Sequence, residues 1–315
     1  MKIAHISLGI PDDYPQAWLE VLRSVFQETL PSAQISRWQP GDAVSPADYA
    51  LVWQSTQAFI DAHPQLKAIF NLGAGVDGVL KLTLPADVPL IRLEDCGMAA
   101  QMAGYVSHAV LRHCRGLDRY EADANTGAWK PRKALDRADF PVGVMGLGVL
   151  GTAVTAQLQA LGLTVSGWSQ SAKTIAGVSC YVGQAEFQSF LNATRILVNL
   201  LPLTPSTRGI LSADTLSQLQ QPGYVINVAR GAHLQEASLI PMIDSGVLAG
   251  ACLDVFECEP LPSDHAFWAH PKVVVTPHIS AQTLPKPSFR QIADKITRLQ
   301  AGLAVSGVVN RVRGY

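Results

Sequence analysis

The 315-residue sequence predicts an α/β protein of two doubly wound parallel-sheet domains, and three observations carry that expectation. The chain is longer than one typical domain of roughly 100–200 residues. Short apolar runs alternate along it with longer helical stretches. A glycine-rich turn, GLGVLG at 146–151, separates one such run from the next helical stretch.

Taken in order, IAHISL, YALVW, KAIFNL and VPLIRL form a first set of four strands within residues 3–93. GMAAQMAGYVSHAVLRHCRGLDRY follows, with Met98, Met102, Tyr105, Val106, Ala109 and Val110 at helical spacing, a helix long enough to cross from one domain to the other. VGVMG, TVSGW, RILVNLL, YVINVA, GACLDV and KVVVTP make a second set of six strands within 142–277. Near-continuous apolar runs of this kind suit strands buried on both faces of a parallel sheet. Pro285 and Pro287 then fix the start of a last helix through SFRQIADKITRLQAGLAV, which is expected to return to the first domain. The expected division is residues 1–97 completed by 283–315, and residues 98–282.

Composition narrows the class of partner. With 24 basic against 25 acidic side chains the net charge is −1, so no general field draws nucleic acid or anionic lipid, and a small molecule is expected instead. Residues 140–172 carry no charge over a length that could span a bilayer, but Gly143, Gly146, Gly148 and Gly151 crowd its first third and Gln157 and Gln159 interrupt the rest. Strand, turn and helix explain it better than a membrane span. Cys96, Cys114, Cys180, Cys252 and Cys258 form no C-x-x-C pair and no zinc spacing, so reduced thiols in a cytoplasmic protein without a metal site are expected. Pro11, Asp12 and Asp13 break the apolar start early, which suits a first strand and not a secretory signal.

The turn carries the first chemistry. In a G-x-G-x-x-G turn Gly146 allows the tight bend, Gly148 lets the backbone approach a pyrophosphate and Gly151 lets helix and strand pack. The N–H groups of a helix N-terminus then face the phosphates, a Rossmann-like dinucleotide site. About twenty residues on, where a carboxylate would read the ribose 2′-OH of NAD, the chain reads WSQSAK. Ser169, Gln170 and Ser171 are neutral donors and Lys173 adds a cation, so a 2′-phosphate is tolerated: NADP(H) is preferred and NAD(H) possible.

In an open parallel sheet ligands sit beyond the carboxyl ends of the strands. Three polar residues stand there: Arg230 after YVINVA, Glu259 after LDVF and His278 after VVVT. Singly they read as a loop cation, a surface charge and a cap. Together they are the parts for reducing a 2-oxo acid: an arginine binds a carboxylate in bidentate fashion, and a histidine whose charged form is stabilised by a carboxylate donates a proton.

At this point the sequence resembles the D-isomer-specific 2-hydroxyacid dehydrogenases, most closely their glyoxylate/hydroxypyruvate reductase A subgroup. The resemblance runs through FNLGAGVDGVL, IRLEDCGMAAQM, GLGVLG, NLLPLTPSTRGIL, NVARGAHLQEASLI, ACLDVFECEPLP, TPHIS and RVRGY, in order and spacing. It implies Arg230, Glu259 and His278 as the catalytic set, and Trp53 with the backbone of Ala74, Gly75 and Val76, beside Arg230, at the substrate. It also implies Val149, Leu150 and Pro202 among the cofactor contacts, with Asp254 holding the nicotinamide carboxamide. A flavodoxin-like substrate domain beside the Rossmann-like one, reduction of glyoxylate or hydroxypyruvate to glycolate or D-glycerate, a homodimer and a closing cleft follow from the same resemblance. Gln170 and Ala172 stand where this subgroup often carries arginine. Alternatives are a bulkier 2-oxo acid such as an aryl pyruvate, decided by the direction of Trp53, and a non-catalytic NAD(H)-sensing, corepressor-like binding protein.

Overall fold

The computed structural model describes residues 3–43, 46–133 and 136–315, and the chain divides into two units, Met1–Gly97 with Thr283–Tyr315, and Met98–Gln282. Met1 and Lys2, at the head of the stretch read as the first strand, lie outside the described residues.

In the first unit five parallel strands, β1 (Ala4–Gly9), β2 (Ala33–Arg37), β3 (Tyr49–Val52), β4 (Ala68–Asn71) and β5 (Leu90–Ile91), pair in the order β2-β1-β3-β4-β5. That is the flavodoxin-like order. β3 and β4 are buried at every position, as their apolar runs require. β2 is the strand missing from the expected four. It lies at the sheet edge, alternates half-buried and exposed side chains, and so lacks the continuous apolar run by which its neighbours are recognised.

The final helix, Pro285–Gln300, has proline in its first turn, where the missing N–H costs nothing. It packs on the helix Gln16–Thr29 and buries Phe289, Ile292 and Ile296. Lys295, 5% exposed, pairs at 2.9 Å with Glu94, which also accepts the Ser306 hydroxyl. Gln291 closes the same joint by bonding both the N–H and the carbonyl of Glu94.

The second unit holds seven parallel strands: β6 (Val142–Met145), β7 (Val165–Ser169), β8 (Ser179–Val182), β9 (Ile196–Asn199), β10 (Gly223–Asn227), β11 (Leu248–Leu253) and β12 (Val273–Val275), in the order β12-β11-β10-β9-β6-β7-β8. Read from β8, this is the Rossmann order 3-2-1-4-5-6 with one strand added. Here too the strand absent from the expectation, β8, is a half-buried edge. The long helix expected between the strand sets corrects to two: Met98–Cys114, which lies within the second unit, and Leu117–Asn125. Gly116, left-handed at φ 58, separates them. No helix among the described residues is long and apolar enough to cross a membrane.

Candidate active site

The glycine turn between β6 and the helix Val149–Ala160 is fixed by contacts no other residue permits. Gly146 has φ +100, and a Cβ there would lie 2.9 Å from the Leu200 carbonyl oxygen. A Cβ on Gly151 would come within 1.8 Å of the Gly146 carbonyl oxygen, so helix and strand could not close. At Gly148, by contrast, a Cβ would meet nothing within 4 Å. The space beside that backbone is open, and no described side chain caps the helix that starts there. The first-turn N–H groups of Val149, Leu150 and Gly151 have no acceptor within the helix, as at any helix start, which fits a pyrophosphate beside Gly148.

Beyond β7, Gln170, Ser171 and Lys173 are exposed and no carboxylate stands among residues 169–174. Ser169 departs from expectation: it is buried and its hydroxyl donates to the Ser171 carbonyl at 2.7 Å, so it shapes the turn and offers no hydrogen to a ligand. The Pro202 carbonyl accepts the Thr207 hydroxyl at 2.7 Å and holds the loop after β9.

The three polar strand-end residues belong to the second unit, and the fold brings their loops together. Gly231 makes the approach possible: a Cβ there would lie 1.8 Å from the Phe256 carbonyl carbon, so the loop after β10 rests directly on the backbone leading to Glu259. His278 Nδ1 and Glu259 Oε2 are 2.8 Å apart. A carboxylate only accepts, so Nδ1 carries the hydrogen and Nε2 is the nitrogen left to act. Glu259 Oε1 accepts the Phe256 N–H at 3.0 Å. Burial pushes the Glu259 carboxyl up, but the His278 and Phe256 hydrogen bonds and the charges of His278 and Arg230 outweigh it and hold the group below its ordinary value.

Arg230 is half-buried. Its loop is clamped by Asn227, whose amide donates to the Arg230 carbonyl at 3.0 Å and whose oxygen accepts from Asn199 at 3.0 Å. These two fully buried asparagines escaped the sequence reading. The signal was present: each ends a wholly apolar strand, ILVN and GYVIN, where a polar residue calls for a buried partner. Asp254 is wholly buried, with the Thr276 hydroxyl and Ile279 N–H on Oδ1 and the Ser280 N–H on Oδ2. It grips the turn that carries His278.

In the first unit, Asn71 donates to the carbonyls of Gly73 and Gly75 at 2.9 and 2.8 Å, folding the loop after β4 over its own end. Ala74 is half-buried, Gly75 exposed and Val76 buried. Trp53 is 37% exposed, and a Cβ on Gly73 would lie 2.6 Å from its ring. Its ring therefore covers this loop and is not a core side chain.

A Rossmann-ordered sheet with an open glycine turn, and a histidine–glutamate pair beside an arginine beyond its strand ends, defines a nucleotide-dependent oxidoreductase. The family model for the D-isomer specific 2-hydroxyacid dehydrogenase, NAD binding domain, matches residues 107–280. The chain is 46% identical over 304 residues to glyoxylate/hydroxypyruvate reductase A of Yersinia enterocolitica, covering 95% of this chain and 96% of that one. Among solved structures it is similar to the NADPH-dependent glyoxylate/hydroxypyruvate reductase of Sinorhizobium meliloti in complex with NADP and sulfate, with TM-score 0.92, 37% identity, and 99% and 100% of the two chains covered. A D-isomer specific 2-hydroxyacid dehydrogenase of Xanthobacter autotrophicus in complex with NADPH gives TM-score 0.92 at 38% identity over the whole of both chains. The chain belongs to the D-isomer specific 2-hydroxyacid dehydrogenase family.

Proposed function

We propose that this protein reduces a small 2-oxo acid, glyoxylate or hydroxypyruvate, to the 2-hydroxy acid, with NADP(H) preferred and NAD(H) accepted. The observation that carries the reading is the 2.8 Å His278–Glu259 pair, exposed beyond the strand ends, with the Arg230 charge acting on the same glutamate. The guanidinium of Arg230 binds the substrate carboxylate and polarises the adjoining carbonyl. When bound in the glycine turn, NADPH supplies the hydride. His278 delivers the proton from Nε2 to the carbonyl oxygen, while Glu259 orients the ring through Nδ1 and stabilises its charge.

The second unit is the cofactor domain on this reading, with Gly146, Gly148, Val149, Leu150, Gly151 and Pro202 around the pyrophosphate and Gln170, Ser171 and Lys173 near the 2′-phosphate. The first is the substrate domain, its 74–76 backbone receiving the carboxylate. Trp53 across Gly73 narrows that loop and favours small acids over aryl pyruvates. A homodimer is supported by the helix Leu117–Asn125, which buries none of its residues, and by Trp129, 93% exposed. Five free thiols support a cytoplasmic setting.

Initial rates of NADPH and NADH oxidation with glyoxylate, hydroxypyruvate and phenylpyruvate test the proposal. Turnover with the two small acids, faster with NADPH, is expected; nucleotide binding without turnover on any acid defeats it and favours a sensor.

A further inference from the structure

His278 holds a left-handed backbone conformation, φ 54. A residue with a side chain stays there only where its surroundings over-determine it. The turn from Thr276 to Ser280 is wrapped around Asp254. The His278 N–H reaches the Asp254 backbone carbonyl at 2.9 Å, and the Ile279 and Ser280 N–H groups reach its carboxylate, each at 2.8 Å.

The Thr276 hydroxyl donates to Asp254 Oδ1 at 2.6 Å. A hydroxyl has one hydrogen, so toward the Tyr105 phenol, 2.6 Å away, Thr276 can only accept. Tyr105 therefore donates to Thr276, and its oxygen is left to accept from the Cys252 thiol at 3.4 Å. Burial pushes both the phenol and the thiol up, so both keep their hydrogens. The hydrogens run one way, from Cys252 through Tyr105 and Thr276 to a buried carboxylate, and each bond polarises the next.

We propose that Tyr105 and Thr276 are positioning residues for the proton donor: their one-way hydrogen-bond chain, ending on Asp254, holds the 276–280 turn so that the His278 ring meets Glu259 and presents Nε2. On this reading each acts through the turn that carries His278. The inference rests on the reading of His278 as the proton donor. A merely structural pair would lower stability without separating turnover from cofactor binding. Misplacement of a reacting group by about 1 Å lowers rate by up to about a hundredfold while binding survives.

The test compares Thr276→Val, Thr276→Ser and Tyr105→Phe. Thr276→Val keeps the shape and removes the relay; kcat for 2-oxo acid reduction is expected to fall about ten- to a hundredfold with the KM for NADPH nearly unchanged. Thr276→Ser keeps the hydroxyl and restores most of the rate, and Tyr105→Phe, which leaves Thr276 bonded to Asp254, loses a smaller factor. Hydrogen–deuterium exchange over 276–280 reads the positioning without turnover: faster in Thr276→Val and Tyr105→Phe, as in the unaltered protein for Thr276→Ser. Full kcat in both deletions, no rescue by serine, or unchanged exchange overturns the relay. If the unaltered protein reduces no 2-oxo acid, the proposed reaction has failed, and the exchange comparison alone decides whether the chain holds the turn.

Discussion

His113 and His278 lie in the same unit and have opposite surroundings. The His113 ring stacks on Tyr224 at 4.0 Å, with Phe140 edge-on at 5.8 Å, and burial pushes it down to about 4. His278 keeps 45% of its side chain exposed and ties Nδ1 to Glu259. One ring is a flat plate that fills the space between a helix and a sheet; the other has one nitrogen tied and one free. Position in the fold, on a helix flank or just past a strand end, decides which chemistry an imidazole has.

The contrast is most exposed to refutation at His278 itself. His278→Ala should lower turnover by about 10²–10⁴-fold, the range for a lost general acid, with NADPH affinity unchanged, whereas His113→Phe should leave turnover near that of the unaltered protein. Equal losses in the two variants, measured by steady-state kinetics and nucleotide titration, would abolish the distinction. Glu259→Gln comes next, at about ten- to a hundredfold in rate. A rate equal to that of the unaltered protein denies Glu259 its role.

His113 makes its own prediction, in stability. The folded state holds this ring neutral down to about 4 while the unfolded chain protonates near 6.5. Its neutral form therefore supports the fold fully above about 6.5, and the support drains away as pH falls toward about 4, about 3 kcal/mol in all. Urea unfolding near neutrality and near the lower limit should show the unaltered protein losing more than His113→Phe; parallel losses contradict the assignment. The smallest effect is expected at the cofactor loop, where Gln170→Arg should raise the preference for NADPH over NADH several-fold, read from the ratio of kcat/KM values. A constant ratio means that Gln170 does not face the 2′-phosphate.

What the sequence disclosed, it disclosed through local pattern. β3, β4, β6 and β9, buried at every position, are written as apolar runs, broken only by the asparagine that ends β4 and β9. Arg230, Glu259 and His278 stood out because each closely follows a strand. The edges β2 and β8 were hidden because pairing on one side leaves none of their positions fully buried, so neither carries a continuous apolar run. Tyr105 was legible only as a helical apolar position; that its hydroxyl meets Thr276, 171 residues later, depends on the packing of helix on sheet. Ser169 shows the reverse limit, since a donor type in the right segment turned out to spend its hydrogen on its own turn.

The split first unit sets an order of events during synthesis. Residues of β1 to β5 leave the ribosome first, but Phe289, Ile292 and Ile296, which cover the helix Gln16–Thr29, and Lys295, which answers Glu94, come after the whole of the second unit. The helix Gln16–Thr29 waits for that partner while the seven strands of the second unit are made. The unit whose sheet is made first is thus the last to be completed, because its closing helix arrives only after the intervening unit has been made.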